Sequence, residues 1–177
     1  RTPYIGYFGT EYQKLTIDIQ KVQRTDDNQY DVSGITAIKS KCCNFRGTID
    51  IVENREFTHP TYGVDDSMKG QFKRRGCSIA KYNLEEETSQ MGSGVFTGYL
   101  LFYWYETNDG KFVYDDIDSH SDSYCNNQYA GTWKSNKTKK SKPCAWGQYR
   151  VPNSGDLDIG AGEFSVNPKY AKNGWEK

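Results

Sequence analysis

Polar and apolar positions alternate strictly in Leu15-Thr16-Ile17-Asp18-Ile19-Gln20, the period-two pattern of a strand with one buried face. Phe45-Arg46-Gly47-Thr48-Ile49-Asp50-Ile51 repeats it, with Phe45, Ile49 and Ile51 on one side and Arg46, Thr48 and Asp50 on the other. Between them, Tyr30 to Ile38 is rich in β-formers and follows the polar turn Arg24-Thr25-Asp26-Asp27-Asn28, so the three segments predict a meander. The strongest segment is Gly94 to Tyr105, where Tyr99-Leu100-Leu101-Phe102-Tyr103-Trp104-Tyr105 places aromatic rings on both faces. The turn Asn108-Asp109-Gly110 and the return strand Phe112-Val113-Tyr114 follow it, which predicts a hairpin. No stretch has comparable helical periodicity. Tyr82 to Gln90, with Glu85, Glu86 and Glu87, has almost no apolar face and is expected to form a loop or a single turn.

A short signature recurs: an aromatic or β-branched residue, one spacer, then Gly. It appears in Val32-Ser33-Gly34-Ile35, Phe45-Arg46-Gly47-Thr48, Phe96-Thr97-Gly98-Tyr99 and Tyr129-Ala130-Gly131-Thr132-Trp133. Gly inside a strand marks a bulge or a tight bend, and its repetition on several strands predicts a sheet that coils toward closure. The fold class is therefore all-β, an antiparallel meander closing into a barrel, with a β-sandwich as the alternative. A change of character follows Trp133, because Lys134 to Lys142 holds five Lys and the chain beyond is rich in Gly, Pro, Asn and Asp. We expect one domain over residues 1–177, with a barrel-like core over 1–135. Residues 136–177 then form a loop-rich extension pinned by Trp146, Tyr149, Phe164, Tyr170 and Trp175.

Composition refines this picture. The chain has 177 residues, 35% hydrophobic but 15% aromatic, so large rings carry the burial that drives folding, and a disordered composition is excluded. Lys plus Arg and Asp plus Glu both number 23, so no global field draws nucleic acid or an anionic membrane. No run of apolar residues is long enough to span a bilayer. The five cysteines, Cys42, Cys43, Cys77, Cys125 and Cys144, contain no C-x-x-C pair, which speaks against zinc ribbons and thioredoxin-like motifs. In an oxidising compartment they would form two disulfides and leave one thiol, with Cys125 joined to Cys144 and Cys77 to one of the vicinal pair; in a reducing one all five would be buried thiols. A secreted, periplasmic or cell-surface location is expected, for a monomer that is a fragment or a processed form, since it starts at Arg1.

Tyr4-Ile5-Gly6, the strands with Phe-x-Gly-Thr character and the late Tyr-Ala-Gly-Thr-Trp motif at 129–133 loosely resemble the secreted lipocalin-like and avidin-like β-barrels of bacteria. The resemblance covers about the first 135 residues. It departs from true lipocalins because a Gly-x-Trp motif is missing near the first strand and Gly131-Thr132-Trp133 falls late. It implies about eight antiparallel strands with a ligand at the open end or on the outer face, and it transfers no binding residue.

Candidate chemistry is sparse. Asp115-Asp116-Ile117-Asp118-Ser119-His120-Ser121-Asp122 could offer oxygen ligands, or be a solvated turn. Asp156, Asp158 and Glu163, in a stretch freed by Gly160 and Gly162, are the candidate metal ligands, with calcium as the one candidate cofactor and a solvated turn as the alternative. Only His59 and His120 could serve as imidazole bases, and neither adjoins a nucleophile motif. The Lys-rich segment next to Trp133 could contact an anionic surface, or simply solvate a hairpin. Tyr99, Tyr103 and Tyr105 share one face of their strand and Trp104 the other; with Trp133 they are the candidate ligand-binding residues. The expected function is a non-catalytic binding protein for a small apolar molecule or a glycan. The alternatives are a protein-interaction or inhibitor module, and a carboxylate- or calcium-dependent hydrolase.

Overall fold

A computed structural model describes residues 2–176. Nine antiparallel strands run in chain order: β1 Tyr4–Phe8, β2 Gln13–Asp26, β3 Gln29–Ile38, β4 Lys41–Glu56, β5 Phe72–Glu86, β6 Gly94–Thr107, β7 Phe112–Tyr114, β8 Asn126–Ser135 and β9 Ser141–Gln148. They form one sheet in the order β5-β4-β3-β2-β1-β9-β8-β6-β7, and β5 also pairs with β6. That last pairing closes a hydrogen-bonded ring through eight strands, not evenly disposed round one axis, and leaves β7 as an appendage on β6. The ring and the antiparallel meander are as the alternation and the strand glycines predict. Closure removes the exposed sheet edges that would otherwise invite aggregation.

The four glycines of the recurrent signature explain how the sheet closes. A Cβ at Gly34, Gly47, Gly98 or Gly131 would lie 2.0, 1.9, 2.1 and 1.9 Å from the carbonyl oxygen of Asp18, Asn83, Ala130 and Thr97, each on a neighbouring strand. Only a residue without Cβ permits that approach. The residue two places before each glycine, Val32, Phe45, Phe96 or Tyr129, is buried inside the ring. The signature thus couples a coiling position to an inward side chain. Register shifts between Ile19 and Lys21 in β2, Ile51 and Glu53 in β4, and Phe72 and Arg74 in β5 add further coiling.

The interior is filled at mid-height by rings. Tyr129 and Trp146 stack at 4.8 Å with 16° between planes, Tyr82 packs 5.2 Å from Trp146, and Phe96 meets Trp146 edge-on at 5.7 Å. Around this plug lie Leu15, Ile17, Phe45, Leu84 and Leu100. A second cluster sits outside the ring, where Tyr7 and Ala145 of β1 and β9 meet Val151 and Leu157, with Phe164, Tyr170 and Trp175 packed against them. Phe164, Tyr170 and Trp175 thus fasten the C-terminal segment to the outer wall as expected, whereas Trp146 belongs to the plug and Tyr149 packs on Tyr124 instead.

Three expectations need correction. Tyr82 to Glu86 is strand, not loop, since Tyr82, Leu84 and Glu86 alternate inward. β9 lies beyond residue 135 and completes the ring, so the loop-rich extension begins only after Gln148. No disulfide forms, and all five cysteines are free. Register shows why. Cys144 pairs with Gly131 of β8, six residues along the strand from Cys125, a separation of about 20 Å at strand rise. Cys77 is opposite Arg55, at the far end of β4 from Cys42 and Cys43.

Candidate functional site

Because the meander alternates direction, the β1–β2, β3–β4, β5–β6 and β8–β9 turns gather at one end of the ring. There they surround a recess of about 560 Å³ above the plug. Its walls are Phe8, Ile38 and Trp133, with Phe8 and Trp133 edge-to-face at 5.0 Å. Its floor is polar: Thr36, Cys43 and Glu86 point inward and are buried.

Glu86 is 4% exposed and accepts hydrogen bonds from three donors. The Trp133 indole N–H reaches Oε2 at 3.0 Å, the Gly94 backbone N–H reaches the same oxygen at 2.7 Å, and the Thr36 hydroxyl donates to Oε1. A carboxylate so surrounded is a structural acceptor that locks the Trp133 ring across β5 and β8. Burial, and then Glu86 nearby, push the Cys43 thiol up, so it stays a neutral thiol on the floor despite the opposing charge of Lys41.

The rim carries the opposite charge. Lys39, Lys41 and Lys142 line the recess and outnumber the one rim carboxylate, Glu11; among the described residues none of the three has a carboxylate ion-pair partner. Lys142 instead holds its ammonium 5.3 Å from the Phe8 ring centre. Three unneutralised cations over an apolar wall favour a ligand with an apolar body and an acidic group.

The other sequence candidates are dispersed. Trp133 belongs to this mouth, whereas Trp104 faces inward at the opposite mouth, where it lines a separate recess. Tyr99 lies on the outer face, 55% exposed. Tyr103 and Tyr105 share that face but are partly covered, Tyr103 by Phe57 of the β4–β5 connection at 6.2 Å and Tyr105 by Phe72 at the start of β5 at 5.9 Å. Lys142 belongs to the Lys-rich segment picked out from the sequence, whereas Phe8, Thr36, Glu86, Lys39 and Lys41 escape sequence reading, because only ring closure brings such distant positions together.

Four carboxylates of the acidic segments, Asp115, Asp118, Asp156 and Asp158, pair with cations of the same chain. Asp158 pairs with Arg150 at 2.7 Å and accepts from the Gly160 and Ser165 backbone N–H groups. Asp156 instead binds Lys169 and the Tyr170 hydroxyl, and Glu163 lines a recess with His120 and Asp122; the structure does not gather the three around one point. Asp115 and Asp118 are taken by Arg75 at 2.5 and 2.7 Å. Among the described residues no three His, Cys, Asp or Glu side chains are placed to hold a metal ion. No described helix is long and apolar enough to cross a membrane.

Comparison with protein-family models, curated proteins and solved structures returns no match.

Proposed function

We propose that the protein is a non-catalytic binding protein that takes a small, largely apolar molecule carrying an acidic group at the lysine-rimmed mouth. The observation that carries this reading is the pairing of the Phe8–Trp133 wall with three unneutralised lysines above one recess of about 560 Å³, a volume within the range of small-molecule sites. The lipocalin-like architecture implied by the sequence resemblance agrees with a ligand at an open end, although the plug makes this site a shallow cup. The recess takes only the part of a ligand that fits above Thr36, Cys43 and Glu86.

The test compares sodium dodecanoate with dodecanol by calorimetric titration. The acid is expected to bind more tightly by about tenfold, the worth of one charge-assisted contact. Replacing Lys39, Lys41 and Lys142 together by Met, which keeps the apolar stems, is expected to erase that preference. Equal binding of acid and alcohol by the unaltered protein would overturn the reading.

A further inference from the structure

The second mouth of the ring is built differently. Here the inward positions of the long strands carry Tyr30 of β3, Asn54 of β4, Ser78 of β5, and Phe102 and Trp104 of β6, around a recess of about 670 Å³. The mid-height plug of Tyr82, Tyr129 and Trp146 separates it from the lysine-rimmed mouth. β6 pairs with β8 only from Gly94 to Leu101, and from Trp104 to Glu106 its partner is β7. The short β7 therefore extends the wall beyond the end of β8. It sets Phe112 edge-to-face with Trp104 at 5.0 Å while leaving Phe112 59% exposed. A large ring held in water on a strand outside the closed ring contributes little to the core, and such exposure marks a contact surface.

The polar groups of this recess are pre-oriented. The Trp104 indole N–H donates to Ser78 Oγ at 2.8 Å, and the Ser78 hydroxyl donates to Asn54 Oδ1. The relay fixes the Asn54 amide by its oxygen, which leaves its two N–H groups for a partner at the lip. The cations of this mouth, unlike those of the other, are neutralised. Arg24 pairs with Asp27 at 3.0 Å, Lys111 with Asp109 at 2.7 Å, and Arg74 with Glu106 and with Glu56. The Arg74 guanidinium also lies against the rings, 5.7 Å from Trp104 and 5.5 Å from Phe112.

Aromatic surface, an oriented amide and an electrostatically balanced rim together select a ligand with apolar C–H faces, hydroxyl groups and no charge. We propose that this mouth is a second, independent binding site for an uncharged carbohydrate, with Phe112 as the stacking platform and Asn54 as the hydroxyl-binding group. The site neither uses nor needs the lysine-rimmed cup.

The experiment titrates the protein with a panel of soluble neutral hexasaccharides: cellohexaose, xylohexaose, mannohexaose, laminarihexaose and maltohexaose. At least one is expected to bind with a Kd below about 1 mM, and Phe112→Ala is expected to weaken it by about tenfold, the worth of one aromatic contact. Because Phe112 is exposed, the variant should keep the thermal midpoint of the unaltered protein, and Asn54→Ala should weaken the same sugar. The triple lysine variant should bind it unchanged, which separates this site from the first. The proposal is overturned if no member of the panel binds, if the bound sugar is indifferent to Phe112→Ala, or if polygalacturonate displaces it as a better ligand.

Discussion

The carboxylate of Glu86 accepts the indole N–H of Trp133 at 3.0 Å inside the ring, joining β5 to β8 across the floor of the lysine-rimmed mouth. Glu86 also holds the Gly94 backbone N–H and the Thr36 hydroxyl; its loss leaves the Trp133 and Gly94 N–H groups unsatisfied, while the Thr36 hydroxyl can turn to the Cys43 carbonyl. Glu86→Ala should lower the unfolding free energy by about 2 kcal/mol or more, since each orphaned buried group costs about 1–3 kcal/mol. Glu86→Gln, which keeps one acceptor oxygen, should cost less. Urea unfolding of both variants checks the order; equal stability of Glu86→Ala and the parent would show that the network does not hold the mouth.

The strand glycines make a steric prediction. A Cβ at Gly131 would lie 1.9 Å from the Thr97 carbonyl oxygen and 2.7 Å from the Tyr82 hydroxyl, so Gly131→Ala should cost more than the about 1–3 kcal/mol typical of overpacking, or prevent folding. Tyr82→Phe should do the reverse. The Tyr82 hydroxyl is buried without a hydrogen-bond partner, so its removal should leave stability unchanged or raise it. Thermal unfolding of the two variants measures both signs.

Arg75 ties three segments together. Its Nε and Nη2 donate to the two oxygens of Asp115 at 2.5 and 3.1 Å, Nη2 also to Asp118 at 2.7 Å, and Nη1 to the Thr61 carbonyl and hydroxyl at 2.9 and 2.6 Å. Every N–H of the guanidinium is used on the chain itself, which makes it a clamp for the connections flanking β5 and β7. Arg75→Met should cost about 3–5 kcal/mol by stranding the buried Asp115. Arg75→Met combined with Asp115→Leu should recover part of the loss, which denaturant unfolding of the single and double variants would reveal.

Buried thiols and phenols give a pH dependence, Cys144 and Tyr7 among them. Burial pushes the Cys144 thiol from 9.0 up to about 12, and burial followed by Tyr12 nearby pushes the Tyr7 hydroxyl from 10.0 up to about 12. Above about pH 9 the unfolded chain loses protons that the folded chain keeps, so stability should be full below that pH and fall as pH rises toward 12. Unfolding midpoints across this range should decline more gently in Cys144→Ala. Thiol titration without reductant should count five thiols in the denatured chain, and in the folded chain the exposed Cys42 should react before the buried Cys144.

Much of the fold was legible because its signals are local. The alternation in β2 and β4, the Asn108-Asp109-Gly110 hairpin and the four glycines each report on their own neighbourhood, and together they announce a coiled antiparallel sheet. β5 was misread at its end because an inward Glu86 breaks the apolar alternation, and its cost is offset by donors from β3, β6 and β8 that no local pattern reveals. β9 was masked by the preceding lysines and by Pro143. Of the candidate binding residues, Trp133 and Trp104 do line the two recesses. The face of Tyr99, Tyr103 and Tyr105 was correctly separated from that of Trp104, but nothing in a strand's parity says which face is inside.

The most direct test of the binding account labels the four tryptophans with 5-fluorotryptophan, assigns them by single Trp→Phe replacement, and follows their fluorine resonances as sodium dodecanoate is added. The account predicts that Trp133 shifts first and saturably, while Trp146 in the plug and Trp175 on the outer wall stay in place. A Trp133 resonance that does not move while dodecanoate binds would contradict it.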